Sequence, residues 1–142
     1  ILCNSPPQRC KERKVKDIKK EDTYSKKIIV AAIEVHRHLG PGLLESAYEE
    51  CLCRELDIKG ISFERQNLMG FVQRCKIGWW LSLGIVAEGL VILELKAVDM
   101  IEPIYEAQLL TFLKLSNLKL GILLNFNISI TRNVIKRIVN NL

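Results

Sequence analysis

Residues Val91–Ala97 read VILELKA, an apolar run interrupted by a glutamate and, two positions on, a lysine. It lies within Leu90–Val98, the most apolar stretch of its region. An extended strand sends successive side chains to opposite faces. Glu94 and Lys96 therefore share one face, and Leu93, Leu95 and Ala97 share the other. Strands apolar on both faces imply a sheet covered by helices. A lone buried charge is costly, so the two charges must meet partners, water or a metal. Taken alone, Glu94-Leu95-Lys96 is satisfied by an ion pair at the exposed end of a strand.

The rest of the chain supplies the covering helices. With 142 residues, 49% hydrophobic and 26% charged, it has the size and composition of one globular domain. Tyr24–Gly40 places Ile28, Ala32, Val35 and Leu39 at helical spacing, and Gly40-Pro41-Gly42 ends that helix. A second helix is expected from about Leu43 to Lys59, closed by Gly60. Its apolar stripe is Leu44, Ala47, Tyr48, Cys51 and Leu52, flanked by Glu45. From Ile61 to Ala97, short β-rich runs punctuated by Gly70, Gly78, Gly84 and Gly89 read as a meander of strands. Pro103 suits a first helical turn. Residues 104–116 place Ala107, Leu110 and Leu113 on one face, with Gln108 and Phe112 on another. Leu120–Phe126 reads as a buried strand, and Asn133–Val139 as a strand or short helix. The order is helix, helix, three or four strands, helix, strand: a one-domain α/β sandwich.

Charge and cysteines narrow the function classes. The net charge is +5, of which residues 1–22 contribute +3, from seven Lys/Arg against four Asp/Glu. We expect this segment to be a basic, flexible arm and residues 23–142 to be the domain. The balance permits nucleic-acid binding without demanding it. No apolar run approaches the ~20 residues of a membrane helix. Residues 1–16 hold no apolar core of a signal peptide, and the missing initiator Met leads us to expect a fragment or a misplaced start. Five cysteines, with Cys51 and Cys53 one residue apart, suit neither a zinc knuckle nor a CxxC pair. They read as reduced thiols of a cytoplasmic protein. His36 and His38 have no matching ligand cluster.

Metal-assisted phosphodiester cleavage needs carboxylates to hold Mg²⁺ and a cation near the attacking water or the developing charge. A strand Glu-x-Lys supplies one of each. Further acids must come from neighbouring elements. Gly42–Tyr48 reads GLLESAY, a G-x-x-E-x-x-Y pattern. It follows VHRHLGPG and precedes Gln66, then ELKAV, then EAQLLTFLKL, then LGILLNF. From Tyr24 to the C-terminus this order resembles the GxxExxY family of the PD-(D/E)XK nuclease-like superfamily. The resemblance implies a restriction-endonuclease-like core, a central mixed β-sheet flanked by helices. It implies a metal-dependent nuclease acting on nucleic acid, DNA in the first instance, with Mg²⁺ or Mn²⁺, and it leaves room for a homodimer.

Carried over residue by residue, the resemblance makes Glu45 and Glu94 metal ligands, with the backbone carbonyl of Leu95 as a third. Lys96 becomes the water activator or charge stabiliser. Gln108 with Phe112 resembles a Q-x-x-x-Y helix motif with Phe for Tyr, so Gln108 would touch the active site or the nucleic-acid backbone. The pattern breaks at one place. The superfamily's aspartate on the preceding strand falls on Gly84, and Ser82 stands where an arginine is common. Glu88, the nearest carboxylate, would lie ~13 Å along an unbroken strand, and only a bulge or register shift would bring it in. We therefore expect impaired catalysis on a persisting fold, or alternatively a non-catalytic module binding nucleic acid or protein. Trp79 and Trp80, on opposite faces if extended, suggest a changed use of that strand.

Overall fold

The computed structural model describes residues 8–67, 82–129 and 134–141. The expected pair Trp79 and Trp80 lies outside the described residues. Three helices and five strands are formed by them: α1 (Gln8–Leu39), α2 (Glu45–Ile58), β1 (Phe63–Asn67), β2 (Ser82–Ala87), β3 (Val91–Lys96), α3 (Pro103–Ser116), β4 (Leu120–Asn125) and β5 (Ile135–Val139). Helix α1 runs through position 22, where the sequence reading divides arm from domain.

The strands form one mixed sheet in the order β1-β2-β3-β4-β5. β3 and β4 are parallel, registered from Val91↔Leu120 to Lys96↔Asn125. The other neighbours are antiparallel. A parallel pair needs a crossover connection, and α3 is that crossover.

Alternation along the strands divides the core in two. Val91, Leu93 and Leu95 of β3 and Leu120, Ile122 and Leu124 of β4 pack with Ile28, Ala32 and Val35 of α1 and Tyr48, Leu52 and Leu56 of α2. Ile92 and Leu123 face the other way and meet Leu109, Phe112 and Leu113 of α3. The sheet is thus covered on both sides, as the doubly apolar strands require. Each fully buried aliphatic or aromatic side chain contributes about 1.5–3 kcal/mol. Gly121 lets α3 come close, for a Cβ there would lie 2.9 Å from the Leu109 side chain.

Two helical stripes differ from expectation. Leu44 precedes α2 and is 77% exposed, while Cys53 and Leu56 extend the buried face. On α3 the buried residues are Leu109, Phe112 and Leu113, with Ala107 and Gln108 exposed. The helix must seat on Ile92 and Leu123, and this turns Leu109 and Phe112 inward together.

Helix ends follow their glycine and asparagine. At the α2 C-terminus Gly60 takes φ +70°, with Ile61 N–H donating to Leu56 O (2.9 Å) and Gly60 N–H to Asp57 O (3.0 Å). This is the left-handed cap that satisfies two orphan carbonyls. Asn117 takes the same role after α3, at φ 55°.

Beyond the last β3–β4 pair a side chain continues the ladder. Asn125 is fully buried; its Nδ2 donates to Val98 O (2.8 Å), and its Oδ1 accepts from Val98 N (3.2 Å) and Asn127 N (3.2 Å). Phe126 N donates to Lys96 O (2.9 Å). The amide copies a backbone peptide and ties together the loops that leave β3 and β4. Asn125→Ala should cost about 2–4 kcal/mol, because partners buried with it lose their bonds. Urea denaturation checks this, and Asn125→Asp should be similarly damaging because it loses the Nδ2 donor.

Candidate active site

The turn before α2 explains the G-x-x-E-x-x-Y spacing. Gly40 (φ +64°) and Gly42 (φ +101°) both adopt backbone that L side chains rarely take. Tyr48, fully buried, donates from its hydroxyl to Gly40 O (2.5 Å) and accepts from Leu43 N (3.1 Å). One phenol thus pins both sides of the turn. Its ring stacks on Phe126 (4.6 Å between centroids), which stacks in turn on His36 (6.0 Å). Tyr48 is a core and positioning residue, and what it positions is Glu45, the first residue of α2.

Glu94 and Lys96 stand on the α3 face of β3, near its C-terminal end. Their side chains are 13% and 17% exposed, and Lys96 Nζ lies 3.0 Å from Glu94 Oε1. The same ammonium sits 4.9 Å from the centre of the Tyr105 ring on α3, a cation–π contact. Glu94 Oε2 is buried and has no hydrogen-bond partner among the described residues. An orphaned buried carboxylate oxygen is the kind of atom that a cation or water satisfies.

Glu45 approaches this pair from α2. As a residue it is exposed, yet its carboxyl end is partly withdrawn from water. That burial pushes its pKa up; Lys96 pulls it back, and Glu94 and Glu49 push it further up. It is therefore close enough to feel both members of the Glu94–Lys96 pair.

The Leu95 carbonyl has a suitable direction. Lys96 O is taken by Phe126 N across β4. Carbonyls alternate sides along a strand, so Leu95 O points toward β2. There the β2–β3 register covers only Ile85↔Leu93 to Ala87↔Val91 and does not reach Leu95. Glu45, Glu94 and the Leu95 carbonyl are the nearby oxygens that could serve a hard cation such as Mg²⁺ or Mn²⁺. Among the described residues no group of three His, Cys, Asp or Glu converges.

Gly84 has no room for an aspartate. The β1–β2 register shifts between Arg65 and Asn67, so β2 is irregular there. A Cβ built on Gly84 would lie 2.0 Å from Leu93 O and 3.1 Å from Leu93 C. The position thus aims at the β3 backbone. Glu88 is not a substitute either. It sits at φ 55° in the β2–β3 turn, at the opposite end of β3 from Lys96, and its Oε1 accepts from Ser62 N (2.8 Å). Gln108 is exposed on α3, whereas Phe112, four residues on, is buried. Among the described residues no hydrogen bond joins Gln108 to Glu94 or Lys96.

Sequence reasoning missed Tyr105 and Asn125. The available signals were an aromatic in the first turn of the crossover helix and a lone amide ending the apolar run LGILLN. Cys51 and Cys53 are free thiols, and burial raises the pKa of Cys53, which keeps it protonated.

The family model described as the PD-(D/E)XK nuclease superfamily matches residues 22–138 of the chain. No curated protein and no solved structure gives a match.

Gly84→Asp should lose about 1–3 kcal/mol or more, because the strand must shift to admit any side chain; Gly84→Ala should lose stability in the same direction. Thermal melts of both variants check this, and unchanged stability would show that β2 can rearrange. A raised Glu45 pKa means that its favourable contribution is full below its ordinary value and is lost as pH rises through the raised one. Glu45→Gln should remove this loss. Urea melts from about pH 4 to about pH 7 should then show the variant gaining stability relative to wild type as pH rises.

Proposed function

Because the chain belongs to the PD-(D/E)XK nuclease superfamily, we propose that Glu45, Glu94, Lys96 and the Leu95 carbonyl form its site for phosphodiester hydrolysis. The substrate class is nucleic acid, DNA first, and the reaction is slow in this chain. The observation that carries the reading is the Glu94–Lys96 pair: two same-face charges, mostly buried, with one carboxylate oxygen unclaimed. A buried carboxylate oxygen without a protein partner is open to a cation or a water.

Mg²⁺ or Mn²⁺, when bound by Glu45, Glu94 and the Leu95 carbonyl, supplies Lewis-acid polarisation of a phosphate oxygen and a more acidic water. The chain's own groups do the rest. Lys96 carries the positive charge that stabilises the phosphorane-like charge or orients the attacking water. Tyr105 backs the ammonium and limits where it can swing. Glu45 must be ionised to act as a ligand, so its raised pKa makes metal affinity increase with pH. Gln108, exposed on α3, is left to contact the nucleic-acid backbone. The finer placement in the GxxExxY branch is supported by Gly42, Glu45 and Tyr48, which serve together as turn, ligand and pin.

The acid count supports impairment. Mg²⁺ gives up water reluctantly and needs well-placed carboxylates; this site has two, and Gly84 cannot supply another. The same observation favours a second reading, a non-catalytic binding module on the same fold.

Calorimetry with Mn²⁺ and Mg²⁺, followed by cleavage assays on plasmid and oligonucleotide DNA, separates the two. We expect weak Mn²⁺ binding that disappears in Glu94→Ala, and slow Mn²⁺-dependent cutting that disappears with it. Metal binding untouched by Glu94→Ala would sink the proposed site. Salt-sensitive DNA binding without turnover would select the binding module.

A further inference from the structure

A cleft of about 480 Å³ opens where β3 and β4 end. Its walls include Ile101, Ile128 and Ile135, and Asp99, Glu106, Asn125 and Lys136 also line it. It lies next to the candidate site: Asn125 is the register partner of Lys96, and Glu106 follows Tyr105 on α3. We propose that this cleft is a subsite for one unpaired guanine base of the nucleic-acid substrate. The proposal rests on nucleic acid being what the adjacent site acts on.

The charge pattern excludes a backbone phosphate. Lys136 is engaged in an ion pair with Glu106. Asp99 is exposed and joins no ion pair among the described residues. The net charge offered by the lining side chains is therefore negative, which repels phosphate. What suits a carboxylate beside isoleucine side chains is a flat group with hydrogen-bond donors on its edge. Nucleobases read outside a helix are held in this way, by apolar packing on their faces and hydrogen bonds to their Watson–Crick edge.

Among the bases, guanine places two N–H donors side by side on that edge. A carboxylate has two oxygens and about four acceptor positions. Asn127 Nδ2 uses only one, at Asp99 Oδ1 (3.2 Å). Adenine and cytosine pair one amino donor with a ring acceptor, which would face the second carboxylate oxygen. Thymine flanks its single N–H with two carbonyls. Asp99 therefore favours guanine over the other three.

The cleft is also held in shape before anything enters. Asn125 fixes Val98 and Asn127 together, Asn127 fixes Asp99, and His36 Nε2 holds Ile128 O at 2.5 Å. A preorganised pocket loses less on binding. Its volume falls within the range of small-molecule clefts, enough for a base and part of its sugar.

Fluorescence anisotropy tests this with labelled single-stranded thymidine oligonucleotides of about eight nucleotides, unmodified or carrying one central guanine, adenine or cytosine. We expect the guanine strand to bind about tenfold more tightly than the others, the discrimination of one bidentate pair. In Asp99→Asn and Asp99→Ala that ratio should fall to about one. Asp99→Asn keeps the shape and the Asn127 contact, so it serves if the alanine variant folds poorly. Equal binding of all four strands by the wild type overturns the subsite and leaves the nuclease reading intact. A guanine preference that survives both variants overturns its assignment to this cleft. No measurable binding of any strand overturns the subsite, and the nucleic-acid reading then rests on the plasmid cleavage assay alone.

Discussion

The parallel pairing of β3 with β4 is the constraint from which the site follows. A parallel pair cannot be joined by a tight turn, so the chain crosses over through α3 and buries Leu109, Phe112 and Leu113 against one sheet face. That crossover brings Tyr105 over Lys96. Asn125 prolongs the pairing into the loops, where the backbone ladder has already ended. Without it, the Val98 and Asn127 peptide groups would lose their partner, and the cleft one of its lining side chains.

The turn before α2 is the second device. Two glycines with positive φ make a bend that most L side chains would make only at a cost, and a buried tyrosine holds it closed from inside. Glu45 gains a fixed starting point at the helix end, where its carboxyl feels the charges of Glu94 and Lys96. Ring stacking through Phe126 to His36 joins this turn to the loop after β4. Glu45 of α2 and the pair from β3 are therefore located by one connected core.

Much of this was legible in the sequence. Two-residue alternation placed Glu94 and Lys96 on one face, and helical spacing found Ile28, Ala32, Val35, Tyr48 and Leu52. Gly60 and Pro103 marked helix ends for reasons of backbone freedom that hold anywhere. The stripe on α3 was misread because nearly every position from Ile104 to Leu115 is apolar or weakly polar, and such a helix has no unique face until a sheet selects one. Gly84 could be read as a missing acid but not as a site of close approach; the contact with Leu93 O depends on a strand irregularity that periodicity cannot show. Tyr105 and Asn125 act through partners on other elements, at distances along the chain that no local pattern spans.

The pairing of Lys96 with Glu94 has a consequence for how the strand survives change. A carboxylate that depended on a bound ion for neutrality would make folding hostage to the ion's supply. Here the neutralising charge is covalently part of the same strand, two residues away. An arriving ion must therefore compete with an ammonium that is always present at high local concentration. The central strand thus keeps its buried carboxylate compensated from within its own sequence.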